Sequence, residues 1–136
     1  MNMTNEEKIE KLKSYQNSWK EIQRLEDEIE RLNSQAQKIT QTLSSVPSVQ
    51  GKSDRTAIVD KIIERKEELQ LAIERAKREC IEIEQIINSV KNPLYKRILK
   101  WRYINGVSFK KIAEKEHYSQ RYVEEIHFNA VKSLKI

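Results

Sequence analysis

The sequence predicts an all-α protein: a long antiparallel helical hairpin followed by a helix-turn-helix domain. Three observations carry this expectation. Gly and Pro occur only twice each in 136 residues, too few to turn the strands of a β or α/β fold. Two stretches of about forty residues repeat apolar side chains at steps of three and four, the period of one helix face. The last forty-odd residues then break into three short amphipathic segments, separated by one Gly and by a Ser-capped turn.

The first long helix is expected over residues 4 to about 43. Leu25, Ile29, Leu32, Ala36, Ile39 and Leu43 step by 4, 3, 4, 3 and 4, the heptad rhythm that keeps a stripe facing a partner helix. Leu12, Tyr15, Trp19 and Ile22 extend the seam upstream, with a local stammer between Ile22 and Leu25. The second long helix is expected to start at Ser53 or Asp54, either of which can cap its free N–H groups, and to end near Lys91. Its seam is Ile62, Leu69, Ile73, Ala76, Cys80, Ile83, Ile87 and Val90.

Between them, Ser44 to Lys52 hold the densest cluster of Ser, Pro and Gly, so a loop is predicted over 44–53. Each helix would be roughly 60 Å long, and folding back lets each seam cover the other. Ile58, Val59, Ile63, Leu71, Ile81 and Ile86 widen the second seam beyond what one partner helix covers. The hairpin is therefore expected to form a homodimer or to receive the C-terminal domain against it. On the outer faces, charges of mixed sign, such as Glu26, Glu30 and Arg31, read as solvated surface.

The domain boundary is placed between an arm, 1–92, and a C-terminal unit, 93–136. Asn92 is a good N-cap and Pro93 suits a first helical turn. Leu94, Ile98, Leu99, Trp101 and Ile104 are expected inward on this support helix, which Gly106 ends. Ser108 caps the next helix, with Phe109, Ile112 and Ala113 inward. The third starts at Ser119, with Val123, Ile126, Ala130 and Leu134 inward and Arg121, Glu125, Phe128 and Lys132 on the opposite side.

Charge points to a partner. Residues 93–136 carry ten Lys or Arg against four Glu, a net of +6, while residues 1–92 are nearly balanced. A basic helix-turn-helix beside a neutral arm suits double-stranded DNA, a dense line of phosphates. In a standard docking the base edges fall to Gln120, Arg121, Glu124 and Glu125: Arg can fork onto guanine, Gln onto adenine, and a carboxylate can accept from cytosine. Lys100, Arg102, Lys110, Lys111 and Lys132 are the expected phosphate contacts.

The segment from Ile98 to Leu134 resembles the C-terminal region 4 of bacterial sigma factors. The resemblance lies in Trp101-Arg102-Tyr103, Gly106, Ser108, Ile112-Ala113-Glu114, Ser119, Val123, Ile126, Ala130 and Leu134. The whole chain is similar to small phage and prophage proteins that join a coiled arm to such an end, related to the ArpU and RinA type regulators of late transcription. That resemblance implies a cytoplasmic, DNA-binding transcription regulator that dimerises through its arm, and it puts base contacts on the same four residues. The chain departs from the sigma pattern at Glu124 and Glu125, at His117 in place of the turn Gly, and at Glu116 in place of an apolar residue.

Two other functional classes fit the same architecture: an adaptor docking on RNA polymerase, and a DNA-packaging subunit of the small-terminase kind. An enzyme is not expected, nor a cofactor or a metal. The chain has no Gly-rich phosphate loop, and His117 and His127 lack the spacing of a zinc site. Cys80 on the seam reads as a small buried hydrophobe in a reducing compartment. The acidic start, with Glu6, Glu7 and Glu10, is unlike a secretion signal, and no apolar run long enough for a membrane span is present.

Overall fold

A computed structural model describes the backbone of residues 3–45 and 49–136, and the side chains of 3–41 and 53–136. The chain is all-helical among these residues. Two long helices, α1 (Asn5–Ser45) and α2 (Val49–Asn88), pack against each other and are followed by α3 (Pro93–Leu99), α4 (Phe109–Glu116) and α5 (Gln120–Ser133). Thr4 opens α1 with a capping box: its hydroxyl accepts the Glu7 N–H at 3.2 Å and donates to the Glu7 carboxylate at 3.0 Å.

The expected loop 44–53 is largely helical. Ser44 and Ser45 close α1, and α2 starts at Val49, ahead of the caps assigned to Ser53 and Asp54. Propagating a formed helix through Ser, or through a Gly near its start, costs under about 1 kcal/mol per residue, so weak formers at helix ends do not mark the boundary. Val46 to Ser48 and the Leu43 side chain lie outside the described residues. At its other end α2 stops at Asn88, three residues before the expected Lys91, where the Ser89 hydroxyl donates to the Ile86 carbonyl at 2.6 Å.

Two compact units share these helices: Met1–Ser18 with Ala76–Ile136, and Trp19–Arg75. The second is hairpin alone. Ile22, Leu25 and Ile29 of α1 and Ile62 and Ala72 of α2 are buried there, while Leu32, Ile39, Leu69 and Ile73 are only half-buried. Trp19, expected on the seam, is 47% exposed. The stammer gives the inward direction to Ile22 and Leu25, which succeed it at steps of three. Arg65 reaches Glu28 at 2.8 Å across the pair, and this contact holds the Glu28 carboxyl below its ordinary pKa. It sits at the surface, where such bridges add little stability.

The first unit binds the ends of both long helices to the short ones. Within it the hairpin is antiparallel: Lys11 pairs with Glu82 at 2.6 Å, and Ser18, further along α1, bonds Glu79, further back on α2. One buried cluster joins Leu12 of α1, Ile83, Ile87 and Val90 of α2 and its end, Leu99 and Tyr103 beyond them, and Ala130, Val131 and Leu134 of α5 and its end. A second joins Ile98, Ile112, Ala113, Val123 and Ile126. The seam residues Ile83 and Ile87 are thus covered by α5 as well as by α1.

Polar contacts complete the join. Lys8 is only 7% exposed, with its ammonium donating to the carbonyls of Lys132 at 3.3 Å and Leu134 at 2.6 Å. Those carbonyls end α5, where the helix dipole is negative and partners are lacking, so a cation is favoured there. The Met3 N–H donates to the Ile136 carbonyl at 3.0 Å.

The support helix does not run straight to Ile104. After Leu99 it widens into one π-helical turn, Lys100–Ile104, with the Asn105 N–H donating to the Lys100 carbonyl at 3.0 Å. Widening rotates the later residues about the helix axis, so Tyr103 is turned into the first cluster while the expected inward residues Trp101 and Ile104 are half-buried. The Gln16 carboxamide donates to the Tyr103 and Ile104 carbonyls at 3.1 and 3.0 Å, satisfying the end of the turn. Gly106 then reverses the chain at φ +67°, and a Cβ there would lie 2.8 Å from the Gln16 side-chain oxygen.

Candidate nucleic-acid interface

Local chemistry sets the three short helices as the sequence anticipates. The Asn92 side chain accepts the N–H of Leu94 at 2.9 Å, Ser108 accepts that of Lys111 at 3.3 Å, and Ser119 accepts that of Tyr122 at 3.1 Å. Each is an N-cap in extended backbone that leads at once into helix. Between α4 and α5, His117 adopts the left-handed conformation at φ 60° and ψ 41°, and the Tyr118 N–H closes the turn on the Ala113 carbonyl at 3.0 Å. That conformation costs energy for a residue with a Cβ and almost none for Gly. His117→Gly is therefore expected to raise stability by roughly 0.5–1 kcal/mol, measured as a higher urea midpoint. A lower midpoint would show that the imidazole makes a stabilising contact.

Glu116 has a role that the sequence pattern hid. Its two carboxylate oxygens share the one N–H of the Arg97 guanidinium Nε, at 3.0 and 3.2 Å, and accept a further bond from Nη2 at 3.0 Å and one from the Trp101 indole at 3.1 Å. The Arg97 fork holds the Glu116 carboxyl below its ordinary value, helped by the indole N–H. Lys115 lies over the Trp101 ring, 5.0 Å from its centre. A polar latch thus ties the end of α4 to α3 at the position where a sigma-like pattern carries an apolar residue. Arg97 and Trp101, four apart on one face, were the signal that could have revealed it.

The second missed residue is His127. It is 8% exposed, its Nε2 lies 2.6 Å from the Tyr103 hydroxyl, and the Phe109 ring meets it edge-on at 4.9 Å between centres. Burial pushes its pKa down to about 4, with the nearby Arg102 adding to the effect, and burial pushes Tyr103 up to about 12. Both groups are neutral around pH 7, and the hydroxyl and Nε2 share one hydrogen bond whose donor is set by the ring tautomer. The four-residue steps Val123, His127, Val131 are the signal that places it on the inward face.

The candidate base-contacting residues share the outer face of α5. Gln120, Arg121, Glu124 and Glu125 are all exposed, with the Arg121 side chain 90% accessible. Their mutual contacts are long: Arg121 to Glu125 at 3.7 Å and Gln120 to Glu124 at 3.4 Å. Both are pairs four apart on a solvated helix, worth a few tenths of a kcal/mol, and exchange easily for a better partner.

The candidate phosphate contacts divide. Lys110, Lys111 and Lys132 are exposed, and none of them forms an ion pair among the described residues. Arg102 is half-buried with its guanidinium 4.1 Å from the centre of the Phe109 ring, and Lys100 is half-buried on the π-turn. Of the five, the first three are the more open to solvent. Cys80 is half-buried, with burial pushing its thiol above the ordinary value. Among the described residues, no helix is long and apolar enough to cross a membrane. Comparison with family models, with curated proteins and with solved structures finds no match for this chain.

Proposed function

We propose that the chain is a sequence-specific, double-stranded DNA-binding transcription regulator of the phage or prophage kind, with a sigma region 4-like reading unit. The observation that carries this reading is the outer face of α5. It begins at a Ser-capped turn and presents Gln120, Arg121, Glu124 and Glu125 to solvent, with Lys132 open further along α5 and Lys110 and Lys111 open on α4 of the same unit. The unit that holds it carries a net charge of +6, and the hairpin unit, Trp19–Arg75, one of −1. In that arrangement lysines position the protein on phosphates while Arg121 and Gln120 meet base edges in the major groove.

Dimerisation through the arm belongs to the same proposal. Val59, Ile63 and Leu71 of α2 stay exposed on the hairpin, a surface that a second copy would cover. A two-fold dimer would read half-sites spaced by about one DNA turn, roughly 34 to 36 Å.

The test is selection of bound fragments from random duplexes, then titration of the enriched site at two salt concentrations. Affinity is expected to fall steeply with salt. Arg121→Ala is expected to cost about 1–3 kcal/mol on the selected site and to relax discrimination at one base pair, leaving the fold intact. An equal loss on every sequence would make Arg121 a phosphate contact. Absence of salt-sensitive binding to any duplex would overturn the proposed function.

A further inference from the structure

We propose that Phe128 reads a thymine C5-methyl group in the major groove, an inference that rests on the DNA-binding reading above. Arg121, Glu125, Phe128 and Lys132 recur along α5 at steps of 4, 3 and 4, so they form one stripe on the side opposite Val123, Ile126 and Ala130. Phe128 is 55% exposed and belongs to neither buried cluster of its unit. With Arg121, Glu124, Glu125 and Asn129 it lines a shallow depression on that face. The ring thus sits on the face that carries the candidate base contacts, ringed by charged and amide side chains.

Its chemistry selects the ligand. A phenyl ring neither donates nor accepts a conventional hydrogen bond, so a helix lying in the groove can use it only where the floor is apolar. The methyl of thymine is the largest apolar group that the major groove presents, the cytosine C5–H being the other apolar edge position. Neighbouring Asn129 adds a carboxamide able to fork onto adenine, the partner of that thymine. Lys132, on the same stripe, supplies a cation for a backbone phosphate beside the groove, while Glu124 and Glu125 share the depression with the ring and keep it off the phosphates themselves. Seven residues separate Arg121 from Phe128, about 10 Å along the helix axis. The ring and the Arg121 guanidinium are therefore expected to meet different base pairs of one site.

The experiment uses the full chain and its own selected duplex pool, re-amplified once with thymine and once with uracil in its place, which removes the methyl and nothing else. Wild-type protein is expected to bind the thymine pool about fourfold more tightly, the effect of burying one methyl-sized group. Phe128→Ala, checked for unchanged helicity and melting temperature, is expected to have its thymine-to-uracil ratio lowered by that fourfold factor. Other methyl contacts would affect wild type and variant equally, so the double comparison isolates this ring. Equal binding of the two pools by wild type, or an unchanged ratio in Phe128→Ala, overturns the inference while leaving DNA binding in place. If wild type binds neither pool in a salt-sensitive way, the proposed function falls and this inference falls with it.

Discussion

Leu12→Ala and Ile83→Ala are each expected to cost about 2–5 kcal/mol and to loosen α5, which lies more than a hundred residues beyond Leu12 in sequence. Both side chains are fully buried in one cluster with Leu99, Tyr103, Ala130, Val131 and Leu134. A methyl left in place of either opens a void lined from α1, α2, α3 and its π-turn, and α5. Shrinking that void would require long helices to move as rods, so little collapse is available and the penalty belongs in the upper part of the range. The measurement is urea unfolding together with amide exchange in α5. Faster exchange along α5 in Leu12→Ala is the expected result. Exchange unchanged there, with loss confined to α1 and α2, would show that the short helices hold together without the hairpin ends. Leu25→Ala, buried in the other unit, is the control, expected to destabilise α1 and α2 around it first.

Such coupling could not be read from the chain alone, although most local structure could. Caps are local chemistry: Asn92, Ser108 and Ser119 each accept an N–H two or three residues on, so spacing sufficed to place them. Inward faces were legible for the same reason, since Ile112, Ala113, Val123, Ile126, Ala130 and Leu134 keep the helical period. The end of the π-turn is satisfied by Gln16, nearly ninety residues away, which donates to the carbonyls of Tyr103 and Ile104. No window around Trp101 contains that information. Lys8 has the pattern of one more surface charge, yet it is buried because α5 ends over it.

Of the candidate interface, residue identity and face were legible, but accessibility was not. Arg121 and Arg102 are the same residue type in the same basic segment, and only the fold distinguishes an open guanidinium from one resting on Phe109. Likewise the role of Glu116 emerges only when Arg97 and Trp101 converge on it in the fold. Apolar patterning reports what faces a core. It does not report which polar groups the core's edges will pair.

Lowering the pH from 7 to 4 is expected to remove up to roughly 3 kcal/mol of stability through His127 alone. In the unfolded chain the imidazole takes a proton near its ordinary value of 6.5, whereas in the fold burial holds it neutral to about 4. Above pH 6.5 neither state is protonated and the full stability is present. Between 6.5 and 4 the unfolded state binds a proton that the folded state refuses, so stability falls by up to about 1.4 kcal/mol per pH unit. Below 4 this contribution levels off. Among the described residues, the groups that act on the ring are the Tyr103 hydroxyl, the Phe109 ring and the nearby Arg102 guanidinium, and none of these is a carboxylate that would stabilise an imidazolium.

Protonation would also make Nε2 a donor, leaving the Tyr103 hydroxyl only the accepting role in that bond. Glu116, Glu21 and Glu28, whose carboxyls are held below 4.5, lose their partners' stabilisation only as the pH falls beneath that value, which leaves the window from 6.5 to 5 to the histidine. Urea unfolding at pH 7, 6 and 5 is expected to show the slope in wild type. In His127→Gln, which keeps an acceptor for the Tyr103 hydroxyl without a titrating ring, the line over the same window is expected to be flat. A wild-type line as flat as the variant's would mean that the imidazole is protonated in the fold as readily as in water, and the buried neutral pair with Tyr103 would have to be abandoned.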